Sequence, residues 1–191
     1  VVRWAKSRGV KVTAEATPHH LLLTDETART YDPVFKVNPP LRTADDAAAL
    51  REGVLDGSID CIVTDHAPHA PHEKDCEWEI SFFGIVGLET SLPLILQNLV
   101  DTGKMSWARL VEVMAVNPRR LLRLDPVSIA EGSAADLTLI DPKKSVEITP
   151  EYLKSRSKNS AWLGQTLTGV ATDVWAGGRR VLTDGVVTPQ H

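Results

Sequence analysis

Cysteine is scarce in this chain: Cys61 and Cys76 are the only two among 191 residues, and no secretory signal opens the sequence. Two cysteines do not make a disulfide framework, so both are expected as thiols in a reducing cytoplasm. No apolar run approaches the ~20 residues needed to cross a bilayer, and no membrane span is expected. Basic clusters are missing as well. Lys143-Lys144 and Arg179-Arg180 are only pairs, the net charge is −4, and no aromatics are interleaved with cations, which argues against a nucleic-acid surface. Internal repeats and low-complexity tracts are also absent. What is present, 42% hydrophobic and 24% charged residues, is the balance of a soluble globular protein. The length suits one domain, or one domain with an appendage, and is too short for a complete (β/α)₈ barrel of about 250 residues.

The first residue is Val1, not Met, and Val1 to Lys6 reads as helix interior with no cap before it. A piece of a longer polypeptide that begins in mid-element is therefore expected. Gly9 should close this helix, and Val10 to Ala16 alternates as a strand does. From Thr17 to Thr43 runs an irregular stretch with a short helical pattern near Thr24 and Glu26, and connections this long tend to be functional. Thr43, followed by Asp45 and Asp46, caps a helix that Gly57 ends. Ile59 to Thr64 is then a short apolar run of the kind a buried parallel strand shows. Leu92, Ile95, Leu96 and Leu99 mark a further helix, and Ser106 caps another that runs through Leu110, Val113 and Met114 toward Leu121. After Asp125 the chain becomes β-rich: strands are expected at Leu137 to Ile140, Val170 to Ala176 and Arg179 to Leu182, with Gly177-Gly178 as a hairpin turn.

The segment richest in chemistry is Thr64-Asp65-His66-Ala67-Pro68-His69, placed where the apolar strand stops. Polar residues at the C-terminal ends of parallel barrel strands surround the active-site mouth, where a carboxylate can ligate a divalent metal and act as general base. By spacing alone, a capped turn with surface histidines fits these residues equally well. His19 and His20 are expected to diverge at a strand end, which argues against their sharing an ion and for a structural role at the mouth. His72, Glu73 and Lys74 read as a solvated loop tip, Cys61 as a small core residue, and Trp78 as a packing aromatic in a polar loop.

Thr64 to His69 resembles the last-strand motif of type I dihydroorotases, in the amidohydrolase superfamily of (β/α)₈ metal hydrolases. Three more stretches agree with that family in order and separation: Thr17-Pro18-His19-His20-Leu21, Asn38-Pro39-Pro40-Leu41-Arg42 and Phe83 to Thr90. The resemblance implies an α/β fold in two parts. Residues 1–124 would be the C-terminal part of the barrel, strands seven and eight with their helices, and 125–191 strands of a small β-sandwich built from both chain termini.

It further implies Asp65 as metal ligand and proton carrier, Asn38 and His69 as contacts to the dihydroorotate ring and carboxylate, and Phe83 and Gly84 as backbone contacts to the pyrimidine edge. The implied reaction is reversible, zinc-dependent hydrolysis of (S)-dihydroorotate to N-carbamoyl-L-aspartate, a cytoplasmic step of pyrimidine biosynthesis. The family's other metal ligands have no counterpart here: a His-X-His pair, a carboxylate or carbamylated lysine, two single histidines, and a carboxylate-binding arginine beside the first pair. The remaining N-terminal part of the polypeptide is therefore an expected partner, and this chain alone is expected to be inactive. Two alternatives stay open. One is another cyclic amidohydrolase, such as a hydantoinase, dihydropyrimidinase or allantoinase. The other is a non-catalytic homologue that supports aspartate transcarbamoylase.

Overall fold

In the computed structural model, which describes residues 1–188, α1 (Val2–Ser7) ends just before Gly9, whose φ of +74° turns the chain toward the first strand. That strand, β1 (Glu15–Ala16), runs straight into α2 (Pro18–Leu22). Pro18 occupies the first turn of α2, where its missing N–H costs nothing, and the Thr17 hydroxyl accepts the His20 N–H. A short α3 (Asp25–Ala28) and a 3₁₀ turn (Pro33–Phe35) follow, and the Asn38-Pro39 peptide is cis.

The longest helix, α4 (Ala44–Asp56), has the expected ends. Thr43 and Asp46 exchange hydrogen bonds as a capping box, and Gly57 closes the helix at φ +86°. Arg109 caps the same end from a distance by donating to the carbonyls of Val54 and Ile59. The chain then enters β2 (Cys61–Ile62), which pairs in parallel with β1 in the register Glu15 to Cys61 and Ala16 to Ile62. Both strands are shorter than the apolar patterns predict. A strand is as long as its partner allows, and the Ala14 N–H goes to the Asp60 carboxylate instead of continuing the ladder.

The next helices are α5 (Pro71–Lys74) and α6 (Leu88–Ile95), the latter widening into a π-helical turn at Leu96–Val100. A second widening, Glu112–Val116, joins α7 (Trp107–Val111) to α8 (Asn117–Leu121). Pro118, just after the second widening, withdraws the N–H that would close an α-helical bond to the Met114 carbonyl. The Ser106 hydroxyl caps α7 as expected, accepting the Arg109 N–H. Last come β3 (Leu137–Glu147), β4 (Thr166–Ala176), β5 (Arg179–Thr183) and β6 (Val186–Val187), an antiparallel sheet in sequence order with the Gly177-Gly178 hairpin between β4 and β5. The final three residues of the expected β-rich stretch 125–191 lie outside the described residues.

One apolar cluster joins Ala16 and Ile62 of the parallel strands to Leu21, Val54, Ile95, Leu99 and Val113 of the helices around them. A second carries α6 onto the antiparallel sheet through Val86, Leu94, Ile148, Trp162 and Leu167. Between them, Gly169 of β4 sits at φ +89°, where an added Cβ would stand 2.7 Å from the Leu96 side chain. Burial accounts for Cys61, a free thiol whose pKa is raised by desolvation. Trp78 packs edge-on against Tyr31, with ring centroids 5.9 Å apart. Among the described residues no helix is long and apolar enough to cross a membrane.

Candidate active site at the strand ends

Past β2 the chain takes an abrupt turn: Asp65 adopts φ +47°, a left-handed conformation that Asp tolerates better than most residues. The turn leaves Asp65 exposed in an open cleft of about 660 Å³. Glu15, Thr17, His20, Asn38, Arg42 and Val63 line the same cleft, so the fold brings Asn38 and Asp65 together from distant parts of the sequence. His20 braces this wall. Its Nε2 stands 2.7 Å from the Pro39 carbonyl, an oxygen that can only accept, so Nε2 carries the proton, while Nδ1 lies 2.7 Å from the Thr17 hydroxyl.

The next residue, His66, serves the scaffold. It forms a parallel bridge to Ile85, and its Nδ1 accepts the N–H groups of Gly87 and Leu88 at the start of α6. An imidazole lone pair thus takes the place of the usual hydroxyl or carboxylate cap at this helix.

His69, Phe83 and Gly84 form a second group. The His69 Nε2–H donates to the Phe83 carbonyl at 2.8 Å, which leaves Nδ1 as the ring atom available to a ligand. His69 itself lines a separate cleft of about 390 Å³ with Asp32, Lys74 and Asn159, not the one holding Asp65. The two groups meet through the backbone, because the Gly84 N–H donates to the Lys36 carbonyl two residues before Asn38. Gly84 cannot be replaced freely: at φ +116° an added Cβ would stand 2.4 Å from the Ala67 Cβ and 3.4 Å from the His69 ring. A Gly84→Ala variant of the complete protein is expected to lose about 1–3 kcal/mol of stability through this overpacking. Denaturant melts check this, and an unchanged midpoint would mean that the loop yields without cost.

Two readings of the sequence need correction. His19 and His20 sit on a helical turn, not a strand end, and their ring centroids are 4.4 Å apart. The Thr17-Pro18 pair was the available signal, a cap followed by a first-turn proline. His19 is buried, its Nε2 has no partner among the described residues, and burial, reinforced by His20, lowers its pKa to about 3. The second correction concerns Lys74, which is no solvated tip. It is 5% exposed and donates to the carbonyls of Lys36 and Phe82, and burial followed by repulsion from Lys36 lowers its pKa to about 8. His72 remains exposed, while the Glu73 carboxylate caps the Ala70 N–H. Lys36 reaches the same loop from the other side, donating to the carbonyls of Trp78, Glu79 and Ser81, with its ammonium 4.7 Å from the centre of the Phe83 ring.

Polar groups thus gather at the C-terminal mouth of the two parallel strands, the place where barrel folds carry their active sites. The model of the amidohydrolase family matches residues 1–181. The chain belongs to the amidohydrolase family. It is 48% identical over 192 residues to the dihydroorotase of Streptomyces coelicolor, covering 98% of this chain and 44% of that protein. With the dihydroorotase of Trichlorobacter lovleyi the identity is 51% over 183 residues, 96% of this chain and 43% of the other. Among solved structures, the L-hydantoinase (dihydropyrimidinase) of Arthrobacter aurescens superposes with a TM-score of 0.91 at 33% identity, covering 99% of this chain and 43% of that one. The chain thus spans less than half the length of these relatives, and its fold is the corresponding part of a TIM-barrel amidohydrolase.

Proposed function

We propose that this chain belongs to a dihydroorotase that reversibly hydrolyses (S)-dihydroorotate to N-carbamoyl-L-aspartate in the cytoplasmic synthesis of pyrimidines. The observation that carries this reading is the shared cleft of Asn38 and Asp65 at the ends of the parallel strands. In this reading the Asn38 amide pairs with the amide groups of the ring beside Asp65, and the free Nδ1 of His69, in the neighbouring cleft, is proposed to face the substrate carboxylate once the N-terminal part of the polypeptide joins the two clefts. The backbone at Phe83 and Gly84 borders the pyrimidine edge. Asp65 takes a proton from the attacking water and returns it to the ring nitrogen as the C–N bond breaks.

The family is metal-dependent, and zinc is the ion proposed, with Asp65 as one ligand. Among the described residues no three His, Cys, Asp or Glu side chains converge to hold an ion, so this chain alone does not fit one. The remaining ligands belong, on this proposal, to the N-terminal part of the same polypeptide. The chemistry assigned to this chain runs through its carboxylate alone. Residues 1–124 then form the C-terminal part of the barrel and 125–191 part of the composite sandwich. Aspartate transcarbamoylase is the proposed protein partner.

The test compares the complete polypeptide with purified residues 1–191, each assayed on dihydroorotate, hydantoin and allantoin. Turnover is expected only from the complete polypeptide, with dihydroorotate preferred. Preference for hydantoin or allantoin would move the assignment to another cyclic amidohydrolase. Inactivity on all three would favour a non-catalytic homologue.

A further inference from the structure

Between β3 and β4 lies a segment without regular structure, and two of its side chains reach both loops of the second group. The Asn159 amide donates one N–H to the Ala67 carbonyl and the other to the Gly84 carbonyl, each at 3.2 Å. Its own main-chain carbonyl accepts the Val86 N–H at 3.1 Å. The Ser157 hydroxyl accepts the His69 N–H at 3.2 Å and lies within donating reach of the His69 carbonyl and of the Asn159 Oδ1. The side-chain contacts to Ala67, His69 and Gly84 span 75 to 92 residues of sequence. Only an amide suits the Asn159 position: reversed, or replaced by Asp, it would turn an oxygen against two carbonyl oxygens. Both backbone groups of His69 are engaged by Ser157, while its ring is turned by the Phe83 carbonyl.

We propose that Asn159 and Ser157 are positioning residues. They hold the His69 loop and the Gly84 loop at the separation at which the His69 ring and the Phe83–Gly84 backbone engage the substrate together. This role rests on the dihydroorotase reading of those two loops. Neither residue touches the reacting atoms, so their loss acts on binding through His69 and its neighbours.

The test is a double-mutant cycle in the complete enzyme, with Asn159→Ala, His69→Ala and the two combined, read as kcat and KM for dihydroorotate. Asn159→Ala is expected to raise KM by about tenfold or more with kcat within about threefold, the pattern of lost uniform binding. In the His69→Ala background the same change should have an effect at least about fivefold smaller, since residues acting as a unit are not additive. Asn159→Asp should not restore KM. Should Asn159→Ala fail to fold, Ser157→Ala carries the same expectation with a smaller rise in KM, about threefold. Fully multiplicative effects, or a lowered melting temperature with KM unmoved, would overturn the positioning role while leaving the dihydroorotase reading intact. A wild-type enzyme without turnover on dihydroorotate would overturn both.

Discussion

Replacing Asp65 with Asn in the complete enzyme is expected to lower kcat for ring opening by about a thousandfold, within the range that general acid–base groups supply. KM should stay within a few-fold, because Asn38 and His69, not Asp65, are assigned the binding of the substrate. The substitution spares the backbone for a structural reason, and because Asp65 is also a proposed zinc ligand, zinc content is measured beside kcat to separate loss of the ion from loss of the proton carrier. Asp65 stands at φ +47°, and Asn is the other side chain that accepts the left-handed region readily, so the turn survives while the carboxylate does not. The carboxylate also enters no ion pair among the described residues, so no buried charge is stranded by its loss. A melting temperature within a degree or two of wild type should accompany the kinetic loss. If kcat fell less than tenfold, another group would have to carry the proton.

The second large effect is on stability in acid and centres on His19. Burial, with His20 beside it, holds the pKa of His19 at about 3, against 6.5 when unperturbed. The folded-state value is depressed, so below about pH 6.5 the unfolded chain takes up a proton that the folded chain refuses. The contribution is complete above pH 6.5 and is lost as pH falls toward 3. At about 1.4 kcal/mol per pH unit, the cost reaches on the order of 3 kcal/mol by pH 4. A His19→Met variant, apolar and unbranched, should show a flatter dependence than wild type, measured as denaturant midpoints from pH 7.5 to 4. Parallel profiles would show that His19 takes up its proton without unfolding.

Local rules made much of the fold legible. Thr43 with Asp46, Gly57, Ser106 and the Gly177-Gly178 hairpin act through bonds that span a few residues, so sequence alone locates them. Strand lengths were not legible, because Val10 to Ala14 has the residues of a strand but the pairing partner covers only Glu15 and Ala16. In the candidate site, the sequence pointed to Asp65, Asn38 and His69 but had no means of separating them into two clefts. Lys74 was misread for a related reason: its partners are carbonyls, which leave no trace in side-chain identity. Asn159 and Ser157 went unnoticed because everything they hold lies far away in sequence.

Those carbonyl attachments have a consequence for how this loop can change. The loop between Asp75 and Gly84 is fastened by Lys36 and Lys74 to main-chain oxygens that every amino acid supplies. That part of its anchorage does not depend on the identity of the exposed Glu79, whereas Trp78 also packs on Tyr31 and Ser81 is buried. A lineage, or a library, can rewrite the exposed positions of the loop without first having to solve the problem of keeping it in place.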